Sequence, residues 1–258
     1  MEIKFYKYQG TGNDFILIDD RDEFFDITRN DIISSICERK FGVGADGLIL
    51  LRKHSDYDFQ MLYFNSDGKQ STLCGNGSRC IVSFAKYLGL IDDKCKFLAI
   101  DGPHEAFIKD NLISIKMSNV DSVIKDNDAY IVNTGSPHFV SFVNSISDLD
   151  VKKMGAEIRY SEQFKKDGIN VNFAQVSDGI KIRTYERGVE NETYSCGTGA
   201  VAVALCVHKL NSFKQSPILI KTRGGELIID FEFNNNQYIN IWLRGPVELI
   251  YSGDFVCK

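Results

Sequence analysis

Three motifs of this chain recur at a nearly constant interval. Cys74-Gly75-Asn76-Gly77-Ser78 is matched, 122 positions later, by Cys196-Gly197-Thr198-Gly199-Ala200. Gly10-Thr11-Gly12-Asn13-Asp14-Phe15 is matched by Asn133-Thr134-Gly135-Ser136-Pro137-His138-Phe139, with Gly12 and Gly135 123 positions apart. Asp101-Gly102 is matched by Gly224-Gly225, and Gly102 to Gly225 is again 123. Matching intervals at three places predict two homologous domains of about 120 residues in tandem, related by a pseudo-twofold.

Within each half most signals are those of strands. Phe15-Ile16-Leu17-Ile18 and Leu48-Ile49-Leu50-Leu51 are short apolar runs of the buried-strand kind. Asp110-Asn111 divides Ala106–Lys109 from Leu112–Ile115 as a two-residue hairpin turn, and Asn234-Asn235-Asn236 divides Leu227–Ile229 from Tyr238–Trp242. Helical period follows each cysteine: Cys80, Ile81, Phe84, Ala85 and Leu88 make one apolar face, and Ala200–Val207 is apolar throughout. The expectation is an α+β fold, each domain a mainly antiparallel sheet wrapped around one central helix. The polar stretch Asn119–Asp128 is the expected linker.

Bulk properties exclude several classes. With 258 residues and 43% hydrophobic content the chain can bury a sizeable core. A net charge of −5 and an isoelectric point near 5.5 argue against nucleic-acid or anionic-membrane partners. No apolar run approaches the roughly 18 residues of a membrane span. Seven cysteines, none in a CxxC pair, and no secretory signal at Met1-Glu2-Ile3-Lys4 lead us to expect reduced thiols in the cytoplasm.

Each cysteine turn runs into an apolar helix, so each thiol is expected at a helix N-terminus. Backbone N–H groups and the helix dipole make such a place an anion site, and glycines let a ligand approach closely. The same field stabilises a thiolate by up to ~2 kcal/mol, enough to bring a cysteine from about 8.5 towards neutrality. Cys37, Cys80, Cys95, Cys206 and Cys257 sit in no glycine turn and read as small buried apolar residues. Scattered histidines and unsuited spacing argue against zinc, and Gly10-x-Gly12 precedes a strand instead of following one, unlike a dinucleotide loop. Two thiol sites in one molecule can place an acid and a base on opposite faces of one carbon. That is the equipment of a racemase or epimerase working without a cofactor.

At these residues the sequence resembles the diaminopimelate epimerase family over nearly its whole length. The motifs are Gly10-Thr11-Gly12-Asn13-Asp14-Phe15, Phe64-Asn65-Ser66-Asp67-Gly68, Cys74-Gly75-Asn76-Gly77-Ser78-Arg79-Cys80, Gly135-Ser136-Pro137-His138, Ile169-Asn170-Val171-Asn172-Phe173, Tyr185-Glu186-Arg187-Gly188 and Cys196-Gly197-Thr198-Gly199-Ala200. The resemblance implies interconversion of LL- and meso-diaminopimelate, in lysine and cell-wall precursor biosynthesis, without pyridoxal phosphate or metal. It implies Cys74 and Cys196 as the proton-transfer groups. It implies Asn13, Asn65, Gly75, Asn76, Asn170, Glu186, Arg187, Gly197 and Thr198 as substrate contacts, with His138 and Glu186 adjusting the state of the thiols. It also implies a homodimer, and a last strand that returns to the first domain. The expected domains are therefore 1–121 with 247–258, and 122–246, with the active site in the cleft between them.

Two positions depart from the family's pattern. Gly47 stands where some members carry glutamine, and Ser136 where many carry asparagine. Each change removes an amide that could touch substrate. Proline or hydroxyproline racemases share the two-domain design and paired cysteines, isomerases of the phenazine-pathway type lack the cysteines, and a non-catalytic amino-acid binder or a thiol redox protein are the remaining alternatives.

Overall fold

The computed structural model describes residues 2–71, 74–213 and 215–257. Met1 and Lys258, outer bounds of the expected first domain, lie outside the described residues. The chain divides into two compact units, Met1–Ile115 with Pro246–Lys258, and Lys116–Gly245.

The first unit contains β1 (Glu2–Gly10), β2 (Asn13–Asp19), α1 (Asn30–Cys37), β3 (Gly47–Arg52), β4 (Phe59–Asn65), α2 (Gly75–Tyr87), β5 (Lys94–Ala99), β6 (Gly102–Lys109) and β7 (Leu112–Lys116, its last residue at the unit boundary). Pairing runs from β1 through β2, β3, β4, β5 and β6 to β7. Most pairs are antiparallel, but β2–β3 and β4–β5 are parallel. Parallel neighbours need a crossover, and α1 and α2 supply the two.

The second unit repeats this plan. It contains β8 (Val123–Asp126), β9 (Ala129–Asn133), β10 (Pro137–Phe142), α3 (Val151–Arg159), β11 (Asn170–Val176), β12 (Ile180–Glu186), β13 (Asn191–Thr193), α4 (Gly197–Lys209), β14 (Ile218–Thr222), β15 (Gly225–Asn234) and β16 (Gln237–Gly245). The parallel pairs are β10–β11 and β12–β14, again bridged by helices, α3 and α4. β8 pairs with the following β9, and in the first unit the equivalent neighbour of β1 comes from the other end of the described chain. The last strand, β17 (Glu248–Val256), fills the place and pairs antiparallel with β1 from Glu2–Val256 to Gln9–Glu248.

The apolar runs follow from this layering. In β2 and β3, Ile16, Ile18, Leu48 and Leu50 pack with Ile33 and Ile36 of α1. Alternate residues face the other way, and Phe15 and Ile49 lie against Gly77 of α2. Helices on both faces make the middle of each strand, Phe15–Ile18 and Leu48–Leu51, apolar at successive positions. In the second unit Val171 and Phe173 of β11 pack with Val151 ahead of Ala156 and Ile158 in α3, while Ala174 joins α4. α4 is buried along almost its entire length and holds that unit's largest core cluster.

Two expectations change. α1 and α3 are additional to the one central helix expected per domain; they have eight and nine residues, too few for a persistent apolar period. α3 is fixed locally by the Asp150 carboxylate, which accepts from the Lys153 N–H. The expected linker is structured: Val120 and Tyr238 exchange backbone N–H to O hydrogen bonds, and Val123–Asp126 forms β8. Its polarity is that of a half-exposed strand, with Ile124 open to solvent.

Candidate active site

Cys74 and Cys196 occupy the same structural position in the two units. Each is the N-cap of a 13-residue helix, with φ/ψ of −103°/119° for Cys74 and −120°/113° for Cys196. Neither cysteine side chain makes a capping hydrogen bond to its helix. Leu88 and Leu210, also 122 apart, end the two helices with nearly equal φ/ψ.

Around Cys74 the polar contacts form a chain. The thiol donates to Asn13 Oδ1 at 3.6 Å, and Asn76 Nδ2 donates to the same oxygen at 3.2 Å. Asn13 Nδ2 donates to Asp46 Oδ2. A carboxylate can only accept, so Asp46 fixes the Asn13 amide with its oxygen towards the thiol. Arg39 holds Asp46 at 2.7 Å and Asp14 at 2.6 Å, and Asp14 also pairs with Lys7 at 2.6 Å. Burial would raise the Asp14 carboxyl, but the Arg39 and Lys7 hydrogen bonds outweigh it and hold it at about 2.

Arg79, one turn into α2, is completely buried. Its guanidinium donates to Gly75 O at 3.3 Å, to Asn76 Oδ1 at 3.0 Å and to Thr11 Oγ1 at 3.0 Å. All three acceptors are neutral. Burial pulls the group down to about 10, and Cys80 and Cys74 lie within its electrostatic reach. Asn65 ends β4 at the surface, directly opposite Gly47 of β3.

In the second unit Cys196 is buried, its sulfur 3.4 Å from Thr198 Oγ1. Thr134 Oγ1 donates to Thr198 O at 2.9 Å and ties this turn to the loop before β10. Asn170 opens β11; its Nδ2 donates to Ser136 Oγ at 2.8 Å and Pro137 O at 3.1 Å. Its Oδ1 accepts from the Arg187 backbone N–H at 2.8 Å, and Arg187 Nη1 donates to Asp167 O at 2.9 Å. Glu186 is the last residue of β12. His138, on β10, is completely buried; burial first, and then the charge of Arg187, push its imidazole down to about 3.

The structure thus brings Asn13 and Asn76 to Cys74, Thr198 to Cys196, and Asn170 to Arg187. Sequence reasoning missed Asp46, Arg79, Thr134 and Asn172 as supports of these groups. Among the described residues no three His, Cys, Asp or Glu side chains gather as a metal-binding set.

Paired thiols at matched helix N-termini make the family comparison decisive. The sequence profile of the diaminopimelate epimerase family matches residues 5–122 and again 130–250. The chain belongs to that family. The diaminopimelate epimerase of Flavobacterium psychrophilum is 49% identical over 253 residues, covering 96% of this chain and 98% of that one. Solved structures with the same fold include a Bacillus anthracis phenazine biosynthesis protein of the PhzF family, at TM-score 0.75 and 12% identity over 100% of both chains. A hydroxyproline epimerase from Agrobacterium vitis matches at TM-score 0.69 and 12% identity, over 98% of this chain and 92% of that one. At such identities these two support the two-unit repeat fold and nothing more. No helix among the described residues is long and apolar enough to cross a membrane.

Proposed function

We propose that this member of the diaminopimelate epimerase family inverts one α-carbon of diaminopimelate, LL to meso and back, with Cys74 and Cys196 as its two bases. The observation that carries the reading is the matched N-cap position of the two cysteines on equal helices. Inversion removes a proton from one face of the α-carbon and delivers one to the other. One thiolate takes the proton while the opposed thiol gives one, and the roles exchange for the reverse reaction. As the carbanion forms, negative charge spreads to the α-carboxylate. N–H groups of Gly75, Asn76, Gly197 and Thr198 at the helix starts are suited to receive it, because they are oriented before the reaction begins.

The remaining contacts follow from donor and acceptor capacity. Arg187 can hold a carboxylate, and its main chain is set by Asn170. Asn13, Asn65 and Asn170 supply amides, and Glu186 an acceptor for ammonium. Ser136 accepts from Asn170 and keeps its hydroxyl hydrogen for a further acceptor. We further propose a cytoplasmic homodimer serving lysine and cell-wall precursor synthesis, with the unit boundary falling close to residues 116–122.

The test is proton NMR of LL-diaminopimelate with reduced enzyme in heavy water, with L-proline in parallel. Loss of the diaminopimelate α-proton signal as the meso isomer accumulates is the expected result. Exchange of proline alone would move the chain to the racemases; silence with both would leave a binder.

A further inference from the structure

His138 and Asn172 form a fully buried polar pair in the second unit. The corresponding place in the first unit is hydrocarbon. At the 123-residue interval His138 corresponds to Phe15, Asn170 to Gly47 and Asn172 to Ile49. The registers agree, since Phe15 faces Gly47 across β2–β3 as His138 faces Asn170 across β10–β11. Phe15 and Ile49 are completely buried against Gly77, and Asn172 lies against Gly199, the residue equivalent to Gly77. The fold therefore closes the floor beneath this helix turn without any polar group. A buried polar pair there carries a desolvation penalty that packing does not require.

The hydrogen bonds of Asn172 determine where the imidazole proton sits. Its Oδ1 accepts from Thr184 Oγ1 at 3.0 Å, and its Nδ2 donates to Phe139 O at 3.0 Å. A carbonyl cannot donate, so the amide cannot be turned round. The second amide hydrogen lies towards His138 Nδ1 at 3.1 Å. Nδ1 must therefore accept, and the single proton of the neutral ring sits on Nε2. That atom is buried and has no hydrogen-bond partner among the described residues. A buried donor left unsatisfied by the protein calls for a partner from outside the protein, a water or a ligand.

We propose that Asn172 is a positioning residue that holds His138 as the neutral Nε2–H tautomer, so that His138 donates a hydrogen bond to an anionic atom of the reacting complex and does not take up a proton. The inference rests on the epimerase reading. The acceptor is a carboxylate oxygen of the amino acid or a thiolate sulfur. A neutral donor stabilises either without changing its own charge, as an oxyanion-hole group does.

The first test is long-range proton–nitrogen correlation NMR of the reduced full chain, labelled with nitrogen-15 in its four histidines, with His138 assigned through His138→Gln. The expected spectrum shows a bare Nδ1 and a protonated Nε2 near neutral pH. A bare Nε2, or both nitrogens protonated, overturns the proposal. A response of the Nε2–H signal to meso-diaminopimelate identifies the carboxylate, a change on Cys74→Ser or Cys196→Ser without ligand identifies a thiolate, and indifference to all three overturns the donor role.

Kinetics provide the second test. Asn172→Asp, which cannot donate to Nδ1, moves the proton to Nδ1 and lowers kcat about 10- to 100-fold with a smaller change in KM. His138→Gln retains an N–H donor and keeps much more kcat than His138→Phe, which reproduces the packing of Phe15. Equal losses for glutamine and phenylalanine would mean that proton uptake, not donation, is the role. The wild-type tautomer is read independently of turnover, so absence of epimerase activity would sink the reaction assignment while leaving the Asn172–His138 measurement standing.

Discussion

Acidification should destabilise the second unit through His138, and by an amount the structure sets. The imidazole is completely buried and held at about 3, below its ordinary 6.5, by burial and then by the Arg187 charge. In the unfolded chain it titrates normally, so between these values the unfolded state binds a proton that the native state does not. Stability is then fully present above about 6.5 and falls as pH drops, by about 1.4 kcal/mol per pH unit, until about 3. From about pH 7.5 to about pH 5 the loss is about 2 kcal/mol. The control is His138→Gln, which cannot titrate; carboxylates common to both proteins cancel in the difference. Trp242, the only tryptophan, lies on β16 in the same unit and reports unfolding in urea by its fluorescence. The wild-type advantage over the variant should shrink by about 2 kcal/mol between the two pH values. Parallel stability curves would refute the reasoning, because they would mean that native His138 takes up its proton as freely as the unfolded chain.

Three further outcomes are expected. Gly199→Ala drives a β-carbon into Asn172 Oδ1, so it should cost about 1–3 kcal/mol in denaturant unfolding and reduce turnover; Gly77→Ala, against the movable Ile49 Cδ1, should cost less. Asp14→Asn leaves Lys7, whose side chain is 8% exposed, without its carboxylate and should cost about 3–5 kcal/mol, most of it recovered when Lys7→Met is added, as chemical denaturation of the four proteins would show. Cys74→Ala and Cys196→Ala should each abolish inversion while leaving the thermal midpoint within a few degrees, and normal turnover by either would end the two-base scheme.

How much of this was legible in the sequence depended on the range of the interaction. Strand cores such as Phe15–Ile18 and Leu48–Leu51 declare themselves because both faces are covered by helices. The turns at Asp110-Asn111 and Asn235-Asn236 adopt positive φ at both residues, as their residue types favour. The two cysteine helices were readable from their glycines and apolar faces. Short helices α1 and α3 were not, since their faces are defined only by the strands they cover. The parallel pairs β2–β3 and β4–β5 join segments brought together by a helix, and no local pattern encodes such a partner. Asp46 and Arg39 were invisible for the same reason: they reach Asn13 and Asp14 across 32 or 33 and 25 positions.

The repeat offered one more signal, found by comparing its two copies for difference instead of likeness. Their backbones agree at Cys74 and Cys196, yet the surroundings have exchanged polarity. Arg79, buried among neutral acceptors, has apolar Val201 as its counterpart, and Phe15 and Ile49 have His138 and Asn172. Selection for folding alone would not divide the copies in this way, because each arrangement shows that the other is unnecessary for the core. Under the two-base proposal a difference between the copies has a use. Two thiols in identical surroundings would hold a shared proton equally, whereas different surroundings favour one resting arrangement of the proton over the other. The likeness of the two copies locates the thiols, and under the two-base proposal their different surroundings bias which thiol holds the proton at rest, while the roles exchange between the two directions.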